Sequence, residues 1–192
     1  MIIIKMKNGY LELILGPMFS GKTSYLIDKY NTLKNKYDKH NINILVINFE
    51  LDKRYSDSCL VNHDNISIPC IFCKELKEID KDRLEKADVI LINEGQFFSD
   101  IYNEVKNWVD NYKKKIYIAA LDGDFNREPF GNFLNLISIS DEIKKLRANC
   151  QNCNLNNASF SHRTSSEKDK IVIGGSNKYI PLCRNCYLKE NN

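Results

Sequence analysis

The chain has 192 residues, 43% hydrophobic and 28% charged, with a formal net charge of +3 at pH 7. That length suits one α/β domain plus a small appendage, and the modest, dispersed charge excludes the basic face of a dedicated duplex-DNA binder. No apolar run reaches membrane-spanning length, and the opening Met-Ile-Ile-Ile-Lys is too short for a secretory leader, so a cytoplasmic protein with neither a membrane nor a nucleic-acid partner is expected.

In chain order, the apolar run Leu11–Leu15 predicts a first strand. It is followed at once by Gly16-Pro17-Met18-Phe19-Ser20-Gly21-Lys22-Thr23, a complete G-x-x-x-x-G-K-[ST] loop, and by a helical pattern over Lys22–Tyr37. Strand, loop and helix in that order make a phosphate cradle. The glycines let backbone N–H groups turn inward, the helix start adds partial positive charge, Lys22 reaches the outer phosphates and Thr23 offers an oxygen to Mg²⁺. Further strands are predicted at Ile42–Ile47, Val89–Ile92 and Ile116–Leu121, with a weaker one at Ile66–Cys73, and helices at Leu76–Lys86 and Asp100–Lys114. The main runs are continuously apolar, as in parallel strands buried on both faces. Ile101, Val105, Trp108, Val109 and Tyr112 form one buried helical stripe, with Trp108 a core residue. Alternating strands and helices predict a parallel sheet covered by helices, a P-loop NTPase-like (RecA-like) domain over residues 1–146. From Arg147 onward the helical period is lost, which predicts a small second unit over residues 147–192 with a frayed tail from Lys189.

The Val89–Ile92 run ends in Asn93-Glu94. Acidic groups at such strand ends help hold Mg²⁺ or take the proton of an acceptor hydroxyl, so Glu94 is the candidate base; the plainer alternative is a helix-capping carboxylate. Seven cysteines include Cys150-x-x-Cys153 and Cys183-x-x-Cys186, spaced as two knuckles of one Cys₄ zinc site in a reducing compartment. The gap between them exceeds the usual zinc-ribbon spacing and implies a long lasso loop anchored by metal. Its apolar, glycine-ended stretch from Lys170 to Gly175 is a candidate lid, or else a plain hairpin strand. Cys70 and Cys73, three apart on a strand, point to opposite faces and are expected to be packed thiols, as is Cys59. His40, His63 and His162 lack metal-ligand spacing, and surface or loop positions are expected for them.

These pieces, together with Asn93-Glu-Gly-Gln-Phe-Phe98, Ala119-Ala-Leu-Asp-Gly-Asp-Phe125, Pro129-Phe130-Gly131 and Val172-Ile-Gly-Gly-Ser-Asn-Lys-Tyr179, occur in family order over nearly the whole chain. The chain resembles the zinc-containing thymidine kinases shared by animal cytosol, many bacteria and poxviruses. The resemblance implies ATP-dependent phosphorylation of the 5′-hydroxyl of thymidine, with deoxyuridine as a second acceptor, for salvage of DNA precursors. By that resemblance Glu94 is the catalytic base and Arg54 contacts phosphate; Asn93 and Gln96 join residues 16–23 at ATP; and Thr23, Asp52 and Asn93 face Mg²⁺. Met18, Leu121 and Phe125 line the thymine pocket, supported by Phe97 and Phe130. Lys170, Ile171, Val172, Ile173 and Gly174 hold the base through their backbone, and Tyr179 packs on the nucleoside. A homotetramer with structural Zn²⁺, inhibited by thymidine triphosphate, is also implied. Two positions depart from the family: Asn93 stands where Asp is common, and Asp124 where a small neutral residue is. A zinc-ribbon ATPase gripping nucleic acid and a non-catalytic nucleotide sensor are the rival readings; the near-neutral stretch Asn149–Asn157 argues against the first, and the intact Lys22, Thr23 and Glu94 against the second.

Overall fold

The computed structural model describes residues 8–37, 42–52, 58–155, 157–167, 169, 171–172 and 174–191. The apolar run before the glycine loop is strand β1 (Tyr10–Leu15), and the loop feeds helix α1 (Lys22–Lys36). Strands β2 (Ile44–Phe49), β6 (Val89–Ile92) and β7 (Lys115–Ala120) carry the other continuous runs, β2 starting two residues later than its pattern suggested. With β5 (Ile71–Cys73) and β8 (Glu142–Lys145) they form one sheet in the order β5-β2-β6-β7-β1-β8, every pair parallel.

The two-residue period of a strand explains why these runs are apolar throughout. On one face Leu11, Leu13, Leu15, Ile90, Ile92, Ile116, Ile118 and Ala120 pack with Ile101, Val105 and Trp108 of helix α3 (Ile101–Asp110). On the other, Ile14, Val89, Leu91, Tyr117 and Ala119 pack with Leu26 and Ile27 of α1. A strand with a core on each side needs an apolar residue at every position.

The remaining elements correct the sequence pattern. The expected helix over Leu76–Lys86 is a 3₁₀ turn, Leu76–Glu78, followed by α2 (Lys81–Lys86), which Asp80 begins by accepting the Arg83 N–H. The run Ile66–Cys73 divides at Pro69 and Cys70. Its first part is β4 (Ser67–Pro69), which pairs antiparallel with β3 (Cys59–Val61), and only β5 joins the main sheet. Pro69 lacks the N–H that would continue a ladder. After residue 147, β9 (Phe160–Arg163) and β10 (Tyr179–Leu182) form an antiparallel pair, and α4 (Arg184–Glu190) extends into the first two residues of the stretch expected to fray. Ala148, Cys150, Ala158, Leu182, Cys183 and Tyr187 make a third apolar cluster there.

One residue breaks the apolar rule of β1. Glu12 is 2% exposed. Burial alone would raise its pKa, but the Tyr25 hydroxyl, the Lys144 ammonium at 3.0 Å and Lys29 at 3.7 Å outweigh burial and hold the carboxyl below its usual range. A depressed carboxyl stabilises the fold above its unfolded pKa and loses that contribution as pH falls through the folded value. Glu12→Gln is therefore expected to lower stability by about 1–3 kcal/mol at pH 7, roughly 2–12 °C in Tm. The deficit should shrink as pH falls below about 4; thermal melts from pH 3 to 7 check both.

Candidate active site

The glycine loop wraps the carboxyl end of β1. Gly21, at φ 82° and ψ 17°, turns the chain into α1 in the left-handed region that side chains disfavour. Gly16 lies so close to the next segment that a Cβ would stand 2.8 Å from the Leu146 carbonyl oxygen. Phe19 also has positive φ, at 63°. Lys22 is buried, and its Nζ donates to the Pro17 carbonyl at 2.7 Å, across the mouth of the loop. Burial brings its pKa down to about 8, against the pull of Glu94 and Asp122. An ammonium so desolvated gains from any anion placed in the loop.

Strand ends supply the facing groups. The Thr23 hydroxyl and the Asn93 carbonyl oxygen are 3.5 Å apart, looser than a good O–H···O bond. The Asn93 amide donates to Asn48 Oδ1 at 3.1 Å, and the Asn48 amide donates to Asp52 Oδ2 at 3.2 Å. A relay of polar side chains thus runs from the start of α1 to just beyond the end of β2. Glu94, two residues beyond β6, has φ 55° and ψ 41°, a conformation costing a non-glycine residue about 1–2 kcal/mol. Its Oε2 accepts from the Gln96 amide, while Gln96 Oε1 accepts the Leu121 N–H at 3.0 Å. Gln96, expected at the nucleotide, is buried behind Glu94 and tethers it to the end of β7.

One cavity unites these groups. Lys22, Thr23, Asp52, Asn93 and Glu94 line one part of it, with Met18, Phe19, Ser20 and Gly21. Phe97, Leu121, Phe125 and Phe130 line another, and Ile171, Val172, Gly174 and Tyr179 complete it. Phe49 stacks on Phe97 with ring centroids 5.0 Å apart, and Phe130 meets Phe97 edge-on at 5.4 Å. Asp124 also lines the cavity and closes the turn beside Phe125, its Oδ1 accepting the Asn126 and Glu128 N–H groups at 2.9 Å each. Gly16 and Pro17 support the loop from outside the lining. Arg54, Lys170, Ile173 and His40 lie outside the described residues. Phe49, Asn62, His63 and Ser161 line the cavity unforeseen. Phe49 was readable as the polar-flanked end of a strand; the others carry no motif, because the β3–β4 hairpin and β9 bring them in. His63 is exposed as expected, but faces this cavity beside Phe19. His162 sits within β9 rather than in a loop.

Cys150, Cys153, Cys183 and Cys186 bring their sulfurs within 4.8 Å of one another. Four thiolates about 2.3 Å from one tetrahedral ion sit roughly 3.8 Å apart, and Cys153 and Cys183 are 3.9 Å apart. Burial raises the Cys150 thiol, but the N–H groups of Cys183, Cys153 and Asn152 favour its thiolate and bring it to about 6. The donor set fits Zn²⁺. Cys70 and Cys73 pack on opposite faces of the sheet, both pushed up to about 12 by burial, away from the cluster.

A family model described as thymidine kinase matches residues 9–187. The chain is 46% identical to the thymidine kinase of Yaba monkey tumor virus, over 97% of this chain and 98% of that one. It is 38% identical to thymidine kinase 1 of Dictyostelium discoideum, over 100% of this chain and 83% of that one. Against the cytosolic thymidine kinase of Homo sapiens it is 39% identical, over 95% of this chain and 75% of that one.

The cysteine geometry makes a sharp separation. Cys183→Ser is expected to lose bound zinc and melt at lower temperature, whereas Cys70→Ser should keep one zinc per chain by elemental analysis. Zinc lost from the Cys70 variant and kept in the Cys183 variant would overturn the ligand set.

Proposed function

The chain belongs to the thymidine kinase family, and we propose that it transfers a phosphoryl group from ATP to the 5′-hydroxyl of thymidine, and of deoxyuridine, in the salvage of DNA precursors. The observation that carries this reading is a single cavity in which Lys22 and Thr23 of the glycine loop share a wall with Glu94, beside an aromatic pocket. In that pocket Met18, Leu121 and Phe125 face the base, with Phe97 and Phe130 behind them. The backbone from Lys170 to Gly174 reads the base edge, and Tyr179 covers the nucleoside. These are assignments of the proposal, supported by the family motifs and by the position of the described residues on the lining.

In this reading the N–H groups of residues 16–23 and the Lys22 ammonium take the phosphates of ATP, with Arg54 at the outer phosphate. Glu94 accepts the proton of the 5′-hydroxyl as it attacks in line, and Gln96 holds the carboxylate from behind. Most of the rate comes from position and fixed charge. Thr23, Asp52 and Asn93 offer the hard oxygen donors that Mg²⁺ takes, and a bound ion would neutralise charge on the outer phosphates. The oxygen relay through Asn48 supports that assignment. The four cysteines would hold a structural Zn²⁺.

The division into units at residues 1–146 and 147–192 belongs to the same proposal, supported by the separate apolar cluster around the cysteines. A homotetramer inhibited by thymidine triphosphate follows from the family likeness. Cytoplasmic placement is supported by the cytosolic relative, and no helix among the described residues is long and apolar enough to cross a membrane.

Transfer of labelled phosphate from ATP to thymidine tests the reaction; no labelled monophosphate would overturn it. Glu94→Gln keeps size but not proton acceptance, and is expected to lower kcat by ~10²–10⁴-fold with ATP affinity intact; near-normal turnover would remove Glu94 as the base. Asn93→Asp restores a charge beside Thr23 but sets two acceptors against each other at Asn48. It should lower the Mg²⁺ needed for half-maximal rate while costing about 1–2 kcal/mol of stability. A magnesium titration with parallel melts checks both, and an unchanged titration would place the ion elsewhere.

A further inference from the structure

Arg163 lies opposite Tyr179 in the β9–β10 register and is 7% exposed. Its Nε and Nη2 donate to the Tyr179 hydroxyl at 3.2 and 2.9 Å, and its Nη1 donates to the carbonyls of Glu167 at 3.0 Å and Asp169 at 2.6 Å. The Tyr179 hydroxyl passes the chain on, donating to the Val172 carbonyl at 2.8 Å. The face of the same guanidinium sits 3.7 Å from the centroid of the Phe125 ring. Among the described residues, one planar cation therefore holds the Glu167 and Asp169 carbonyls directly and the Val172 carbonyl through Tyr179, and orients a ring contributed by the turn after β7. Arg163 itself stands behind the lining that Val172, Tyr179 and Phe125 present to the cavity.

A buried guanidinium loses much hydration, and only an arrangement with several acceptors and an aromatic face offsets that cost. A planar fork does this where an ammonium cannot, because its donors diverge at fixed angles. The described residues between β9 and β10 form no strand or helix; beside the Thr164 N–H on the Lys178 carbonyl and the Lys178–Glu167 ion pair, the cation gathers their carbonyls.

We propose that Arg163 is the positioning residue of the acceptor site, setting the loop between β9 and β10 and the Phe125 ring as one preassembled wall. The consequence for catalysis rests on the thymidine reading above; the structural role does not. Loss of Arg163 frees the loop and the ring together, so nucleoside binding suffers, while the glycine loop meets β9 at Ser161, through the Met18 N–H at 2.9 Å, and keeps that contact.

Three variants, read by kinetics and by amide exchange, test this. Arg163→Met is expected to raise the KM for thymidine by roughly 10- to 100-fold, leaving the KM for ATP within about twofold, with Arg163→Lys between the two. Amide exchange in the substrate-free protein should speed up about tenfold or more across Thr164–Tyr179 and stay unchanged in β1, β6 and β7. Tyr179→Phe removes only the hydroxyl joining Arg163 to Val172, and should loosen the amides at 171–174 even where Arg163→Met does not fold. Unchanged exchange in that stretch would overturn the proposal, as would a parallel rise in both KM values that tracks lost thermal stability. If the wild-type chain phosphorylates no thymidine, the reaction assignment falls, and the exchange experiment still decides the role of Arg163.

Discussion

A parallel sheet with a core on each face leaves polar chemistry almost nowhere to go except the ends of its strands. β1, β6 and β7 are buried on both sides, so each changes character abruptly where its cover stops: β1 into the glycine loop, β6 into Asn93 and Glu94, β7 into Leu121 and Asp122. Because all pairings are parallel, these ends lie along the same edge. Ligands of open α/β sheets gather there for this reason. The meeting of Lys22 with Glu94 is thus a consequence of topology before it is one of chemistry. β7 runs between β1 and β6 and spaces the phosphate loop from the candidate base by the width of one strand.

Glu12 is the exception that shows the cost of breaking that rule. Mid-strand and buried, it draws in two tyrosine hydroxyls, Lys144 from β8 and Lys29 from α1. That requirement helps explain β8, a strand whose sequence Glu-Ile-Lys-Lys looks nothing like its neighbours. As the outermost strand, β8 does not need an apolar residue at every position, and Lys144 reaches back over β1. At the catalytic edge the solution differs. Asn93 and Asn48 carry no charge, and their amides hand hydrogen bonds along to Asp52, so this part of the edge is assembled from neutral side chains.

How much of this was legible follows the same physics. The runs at 11–15, 89–92 and 116–121 could be read because burial on two faces removes every polar letter, and the glycine loop and cysteine pairs because their spacing is dictated by a phosphate or a tetrahedral ion. β3, β4, β9 and β10 belong to two-stranded pairs with little core, which leaves a weak alternation of three or four residues. α4 is seven residues long, too short for its period to stand out. Asn62, His63 and Ser161, cavity residues that went unforeseen, come from those small pairs, and their place is set by pairing across the chain. Arg163 had no signal at all, since its partners are carbonyls and a phenol rather than an acid at a readable distance.

The cysteine cluster bears on the proposed nucleoside wall. Cys183 starts α4 and Cys186 lies in its first turn, so a metal held there fixes the helix. The next residue, Tyr187, donates its hydroxyl to the Phe125 carbonyl at 2.6 Å, and the Arg127 guanidinium lies 4.6 Å over the Tyr187 ring. Phe125 is held by its carbonyl from the cysteine side and by its ring from Arg163. A main-chain bond sets where the residue stands, and a cation over the ring sets how it is turned. Because the two restraints come from different elements, weakening the metal site should shift the pocket as a body, whereas loosening Arg163 should let the ring and the loop move independently. The insertion between the cysteine pairs is thus tied at its base to the sulfur cluster and, at Glu167, Asp169 and through Tyr179 at Val172, to a guanidinium.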